Sequence, residues 1–427
     1  MGGDVERASL KRIVLGDIVG SGGRGSDPEA EAVASRIIEE VRTGGEAALR
    51  KRALALGELA PGDALFLGKA ELEAALSGLE CSTRELLERT RDRVAAFARA
   101  QRACLLDLET AIPGGRAGHR FIPIAKAGCY VPGGRFPLAS SALMTAIPAR
   151  EAGVASVWMA GPRPGRETLA AACLAGADGF LAAGGAQAIA ALAYGCGPIE
   201  PRDLIVGPGG RYVAAAKRVL FGIIGTDAPA GPSELLIIAT RGADPGLIAA
   251  DLLAQAEHDV AACPALIAFD EALVLAVEAE LGRQLALLPK LNAGLAREAL
   301  ARGGWALLAR DREEAIEAAN RFAPEHLELL VDDPEAWEGQ ISNAGAVFLG
   351  SGSAEVLGDY GAGPNHSLPT GGASRFAAGL SVLAFLRART WLKMDEPAGL
   401  AVDSAAFARL EGLEAHARAA ELRGGRA

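Results

Sequence analysis

From Phe121 onward, short apolar runs closed by Gly or Pro alternate with Ala-rich stretches of helical periodicity, and this rhythm limits the fold more than any other feature of the chain. It predicts strands over Ile122–Tyr130, Ser156–Ala160, Gly179–Ala183 and Leu204–Val206, separated by helices over Ser140–Ala152, Glu167–Ala175, Ala186–Tyr194 and Tyr212–Leu220. A second series follows Ser233, with strands over Leu235–Ala239, Ala265–Phe269, Trp305–Ala309, His326–Val331 and Ala346–Leu349. Strands joined through helices run parallel, and parallel sheets are covered on both faces. Two series therefore predict an α/β chain with two Rossmann-like, doubly wound domains, over 121–232 and 233–380. Ahead of them, Val33, Ile37, Ile38 and Val41 form one apolar stripe, and Ser82 followed by Glu85 reads as a capping box opening a helix to Ala103. This helical N-terminal part, 31–120, is expected to pack on the second α/β domain, behind a flexible leader over 1–30. An amphipathic helix over Ser404–Arg423 is expected in a small C-terminal segment, 381–427.

Composition removes whole classes of function. Acidic residues outnumber basic ones, 53 to 43, and no dense Lys/Arg run with interleaved aromatics occurs, which argues against a nucleic-acid partner. Aromatics are 5% of residues, so the core must be built from Ala, Leu, Val and Ile. Six scattered cysteines without a CxxC pair read as reduced thiols, not a disulfide frame or zinc ribbon. The N-terminus shows no apolar signal region, and the long uncharged stretch Gly179–Ile199 is Ala/Gly-rich and split at Gly184 and Gly185. It reads as strand, turn and helix, so no membrane span and a cytoplasmic location are expected.

Pattern alone offers several partial sites. A GxGxxG string occurs at Gly20, Gly22 and Gly25, but no βαβ unit closes after it, and it reads as leader. The turn Gly207–Gly210 lies between a strand and a helix, a better place for phosphate, and lacks the Walker lysine. The five histidines are His119, His258, His326, His366 and His416. Gln255 and His258 share a helix face at i, i+3; Asp359 is expected in a Gly-rich loop, as is His366. Glu325 beside His326 at a strand mouth can divide base and acid work, or simply be a strand-entry pair. Glu411 and His416 are five apart, about 140° around a regular helix, so they cannot face one ligand from one unbroken turn. These residues suit a metal or acid–base enzyme and go no further.

Taken in order, the segments GCYVPGG (Gly128–Gly134), SSALMTAIP (Ser140–Pro148), AGPSE (Ala230–Glu234), QAEH (Gln255–His258), APEHLE (Ala323–Glu328), GDY (Gly358–Tyr360), GPNH (Gly363–His366) and EGLEAH (Glu411–His416) resemble the histidinol dehydrogenase family over nearly the whole chain. The resemblance implies a homodimer with shared active sites that oxidises L-histidinol to L-histidine through histidinal, using NAD and one Zn2+ per subunit. It implies metal ligands at Gln255, His258, Asp359 and His416, the last supplied by the other subunit. His326 would take the alcohol proton and Glu325 would activate water. Ser233, His366 and Glu411 match substrate contacts, alongside the four ligands and His326, and Tyr130, Gln187 and Gly210 match cofactor positions. The first α/β domain would then be the cofactor side, the second the metal and substrate side, and the C-terminal segment a dimerisation tail. The chain departs from the family at Gly210, where Asn is usual, and at Ala139, where Pro is common. The alternatives are a relative in the same superfamily oxidising another primary alcohol, such as a polyol sulfonate, and a non-catalytic protein that kept the fold.

Overall fold

The computed structural model describes residues 9–18, 27–133, 138–228 and 231–425. Fifteen strands among them, β1 to β15, form three sheets. Gly20, Gly22, Gly25 and Gly134 lie outside the described residues.

One sheet holds β1 (Lys11–Ile13), β10 (Glu234–Ala239), β11 (Cys263–Ala268), β12 (Trp305–Leu308), β13 (His326–Leu330) and β14 (Ala346–Leu349), in the order β1-β12-β11-β10-β13-β14, all parallel. Side chains alternate across a strand, so Leu235, Ile237 and Ala239 of β10 join Ile248, Leu252, Val274 and Leu281 on one face. Leu236 and Ile238 meet Ile316, Ala319 and Phe322 on the other. This two-sided burial is why β10 is apolar after its first residue.

The second sheet holds β2 (Phe66–Gly68), β5 (Lys126–Tyr130), β6 (Ser156–Ala160), β7 (Gly179–Leu181), β8 (Leu204–Val206) and β9 (Gly225–Thr226), in the order β2-β7-β6-β5-β8-β9, with only β2 antiparallel. The chain winds outward from β5 through β6 and β7, then crosses to β8, so the topology reverses between β5 and β8. Ligand crevices in doubly wound sheets open at such a reversal, beyond the carboxyl ends of the strands. A third, antiparallel sheet joins β3 (Leu108–Ile112), β4 (Gly115–Pro123) and β15 (Leu386–Met394). No helix among the described residues is long and apolar enough to cross a membrane.

Several expectations are corrected. The N-terminal helices cover the sheet of β5–β8, not the other one: Ala34, Ile38 and Val41 share a core with Ile189, Leu192 and Ala216. Val94, Ala95 and Ala98 pack with Leu143 and Ile147 on its opposite face. The first thirty residues are not all leader, since β1 pairs with β12. The run Ile122–Tyr130 divides into the end of β4 and the whole of β5. The helix after Glu80 begins at Cys81, which places Ser82 inside the first turn, and no side chain caps it. The C-terminal helix is two, Ala398–Leu410 and Glu414–Glu421, broken at Gly412, whose φ of 78° is left-handed.

Candidate active site

The site is built at the amino ends of β10 and β13. Their parallel register sets Leu235 opposite His326 and so brings Glu234 beside Glu325. The Glu234 N–H donates to Glu325 Oε2 at 3.0 Å, and the Glu234 carbonyl lies 3.1 Å from His326 Nδ1. A carbonyl only accepts, so Nδ1 carries the proton and Nε2 presents a lone pair. His326 is 4% exposed, and its Nε2 has no protein hydrogen-bond partner among the described residues. Burial lowers its pKa to about 3, so the ring is neutral at physiological pH.

Asp359 is the hub. Its carboxylate lies 4.0 Å from His258 Nε2, 4.0 Å from His326 Nε2 and 3.9 Å from His366 Nδ1. It stands in a short helix, Glu355–Tyr360, not in the loop expected for it. Four residues apart, Glu355 and Asp359 share one face of that helix. Opposite, Gln255 ends the helix Pro245–Ala256 and His258 follows in the next turn. Ligand atoms of His258, Glu355 and Asp359 all come within 4.8 Å of one another. The end of the fully buried Gln255 amide lies 2.8 Å from each Glu355 carboxyl oxygen, and the amide can donate to them only with its nitrogen on that side.

Acidic groups crowd this pocket. Among the described residues no lysine or arginine forms an ion pair with Glu325, Glu328, Glu355 or Asp359. Burial lifts Asp359 to about 7. Burial, with the Asp251 charge added, lifts Glu328 to about 8. Glu325 and Glu355 are driven well above the carboxylate range, chiefly by burial. Glu355, Glu328 and Asp251 escaped the sequence reading. The signals were Glu328 two residues beyond His326 and the i, i+4 spacing of Glu355 and Asp359, which a loop assignment hides.

The remaining residues separate into three groups. His366 reaches the cluster from a loop, its Nδ1 3.2 Å from the Asp359 carbonyl, and Ser233 is half-buried immediately before β10. Tyr130, Gln187 and Gly210 belong to the other sheet. Tyr130 ends β5 and its hydroxyl oxygen accepts from Gly185 N at 3.1 Å. Gln187 Nε2 donates to Glu58 Oε2 at 3.2 Å, and Gly184 N to the same oxygen at 3.1 Å. Gly207 follows β8; a Cβ there would sit 2.1 Å from the Tyr130 carbonyl, so only glycine lets the strands end this close. Lys217 and Asp227, 2.5 Å apart, clamp the Gly207 carbonyl and N–H. Gly210 begins the helix Arg211–Leu220 with open space where a side chain would be. Glu411 and His416 are exposed on either side of Gly412, and His416 is not in the donor cluster of its own chain.

Two doubly wound units, one reversing its topology between β5 and β8 and the other holding a buried Glu–His pair, suit an enzyme, and its relatives make the class oxidoreductase. A family model described as histidinol dehydrogenase matches residues 23–424. A protein named histidinol dehydrogenase from Thermus thermophilus is 47% identical over 403 residues, covering 93% of this chain and 95% of that one. One from Aromatoleum aromaticum is 44% identical over 407 residues, covering 93% and 92%. The crystal structure of a histidinol dehydrogenase from Elizabethkingia anophelis superposes with a TM-score of 0.90 at 29% identity, covering 97% and 98%. The chain belongs to the histidinol dehydrogenase family.

The buried carboxyls make the metal-free protein sensitive to alkali. A carboxyl whose folded pKa is raised contributes stability below its unfolded value, lost as pH rises through the folded value. His326 and His366, lowered to about 3 and about 4, act oppositely, but their contribution is complete above the ordinary imidazole value. Above it only carboxyls such as Asp359 and Glu328, near 7 and 8, still titrate. Chelator-treated protein should therefore lose at least about 2 kcal/mol between pH 6.5 and 8.5, at about 1.4 kcal/mol per pH unit per proton. Urea unfolding at both pH values measures it; equal or higher stability at pH 8.5 contradicts the assignment.

Proposed function

We propose that the protein oxidises L-histidinol to L-histidine through histidinal, with two NAD+ as hydride acceptors and one Zn2+ per subunit. The observation that carries this reading is His326, a neutral buried imidazole with an unpartnered Nε2 beside a buried carboxyl, in a chain of this family. In the first step hydride leaves the alcohol carbon for the nicotinamide while the hydroxyl proton passes to His326 Nε2, giving aldehyde and NADH. Asp359, 4.0 Å away, offsets the charge the ring gains. In the second step Glu325, as carboxylate, takes a proton from the water that adds to the aldehyde carbon, and the hydrate yields its hydride to a second NAD+. The burial that raises its pKa also makes Glu325 the stronger base once ionised.

Gln255, His258 and Asp359 would hold the metal, with His416 arriving from a second copy of the chain. Nitrogen and hard-oxygen donors without thiolate suit a borderline divalent ion, and the acidic surroundings, free of Lys and Arg partners, favour its charge. When bound, the ion supplies a positive charge that orients the polar groups of the substrate. Ser233, His366 and Glu411 would complete the substrate contacts. Tyr130 and Gln187 would line the cofactor crevice between β5 and β8. A dimer built on the C-terminal helices is supported by their exposed Val402, Phe407 and Leu410.

Counting NADH per histidinol tests the reading directly: two are expected, and one or none refutes it. Glu325→Gln should stop at the aldehyde after one NADH, and His326→Ala should lose about 10²–10⁴-fold in both steps. Equal impairment of both steps by Glu325→Gln would remove its separate role.

The shared site predicts complementation. His258→Ala and His416→Ala, each inactive alone, should regain activity as heterodimers, in which one site carries neither change. Failure despite demonstrated subunit exchange would place His416 outside the neighbour's site.

Gly210 bears on the cofactor. Arg211 is drawn away to Asp27 and Glu29, at 2.9 and 3.1 Å, and its guanidinium lies over the Tyr212 ring, so neither neighbour fills the space a longer residue would take. A lost neutral hydrogen bond is worth about 0.5–1.5 kcal/mol, or roughly two- to twelvefold in affinity. Gly210→Asn should tighten NAD+ binding by that factor with kcat nearly unchanged; titration showing equal or weaker binding contradicts it.

A further inference from the structure

We propose that Glu355 is a positioning residue for the metal site: its carboxylate holds the Gln255 amide by the nitrogen, so that the amide oxygen is the atom turned to the cation. The inference rests on the metal reading above and assigns a role to a residue outside the four expected ligands. The two ends of a glutamine amide are nearly identical in shape, so packing alone cannot choose which faces the cluster. Charge can. Beside a bound cation the Glu355 carboxyl is ionised and only accepts, and the end of the Gln255 amide that faces it lies 2.8 Å from both its oxygens, so that end must be the nitrogen. The planar amide then directs its oxygen, the only end able to ligate a cation, away from Glu355.

The carboxylate is itself fixed. Glu355 N–H donates to Glu328 Oε1 at 2.7 Å, and Gly358 lies so close to Phe348 that a Cβ would meet its ring at 2.9 Å. The short helix is thereby seated on β14, with Glu355 and the expected ligand Asp359 on the same face. Both oxygens of Glu355 already serve the Gln255 nitrogen, which argues for a support and against a fifth ligand. Groups that orient metal ligands in this way typically contribute about 10–100-fold to affinity.

The test is the dissociation constant for Zn2+, measured by competition with a chromophoric chelator on metal-stripped protein. Glu355→Ala should weaken binding about 10–100-fold. Glu355→Gln keeps an acceptor oxygen for the Gln255 nitrogen and should recover most of that loss. If Glu355 acts through Gln255, adding Glu355→Ala to Gln255→Ala should cost less than about threefold more, since the two effects are not independent. Additive losses would make Glu355 a ligand in its own right and overturn the proposal, as would unchanged affinity in Glu355→Ala. Equal Zn2+ loss in the Ala and Gln variants would assign a structural role instead. Zn2+ binding by wild type, abolished in His258→Ala, upholds the metal site whatever the Glu355 variants do. A wild type that binds no Zn2+ overturns the site and this assignment together.

Discussion

The backbone of one residue organises the chemistry. The N–H and C=O of Glu234 grip Glu325 and His326, the carboxyl by its oxygen and the imidazole by its Nδ1. Side-chain conformations at a strand entrance are otherwise free to vary. Here both depend on backbone atoms locked into a six-stranded sheet by the register of β10 and β13. The same contact selects the imidazole tautomer, which decides which nitrogen can accept a proton. A one-residue slip between these strands would move the Glu234 backbone groups out of reach and turn the β13 side chains to the opposite face. Register is therefore a functional property in this protein, held by apolar packing on both faces.

The two sheets use opposite edges. In the sheet of β5 and β8 the topological reversal marks the carboxyl ends as the place for a ligand, as doubly wound sheets ordinarily arrange it. The Glu–His pair lies at the amino ends of β10 and β13, beside the entrance of β11. Segments that cross between the units join these edges: Asn365 Nδ2 donates to the Met144 carbonyl at 2.6 Å, and Arg93 donates to the Gly361 carbonyl. The loop carrying His366 is thus anchored to the unit that carries Tyr130.

Strands buried on both faces were the most legible part of the fold. The expected bounds of β6 and β8 coincide with the observed ones, because an uninterrupted apolar run leaves little freedom, and those of the half-buried edge strand β14, also an apolar run, coincide too. The short edge strands β1, β2 and β9 carry no such run, and their pairing is settled by distant partners. The side of the chain that the N-terminal helices cover was misjudged because an apolar stripe states that a face is buried, not against what. Within the site, the histidines and the Glu325–His326 pair stand out by rarity or adjacency. Glu355 and Asp251 do not, since acidic residues in helices are common and only three-dimensional proximity marks them out.

The pairing of β1 has a consequence for how the chain is made. Leu10 is buried on one face of its sheet and Ile18 on the other, and Arg12 is tied to Glu271 and Glu278, each at 2.8 Å. Every one of these partners is encoded far downstream. The helix Pro28–Ala55 can settle as soon as residues up to about 220 have emerged, because its core lies with the first sheet. Residues 9–18 must wait until β12 exists, roughly 290 residues after Ile13, or about 15–60 s of synthesis at ~5–20 residues per second. During that interval Leu10 and Ile18 have no apolar berth, and the edge of β12, once made, stays open until this earlier segment returns to close it.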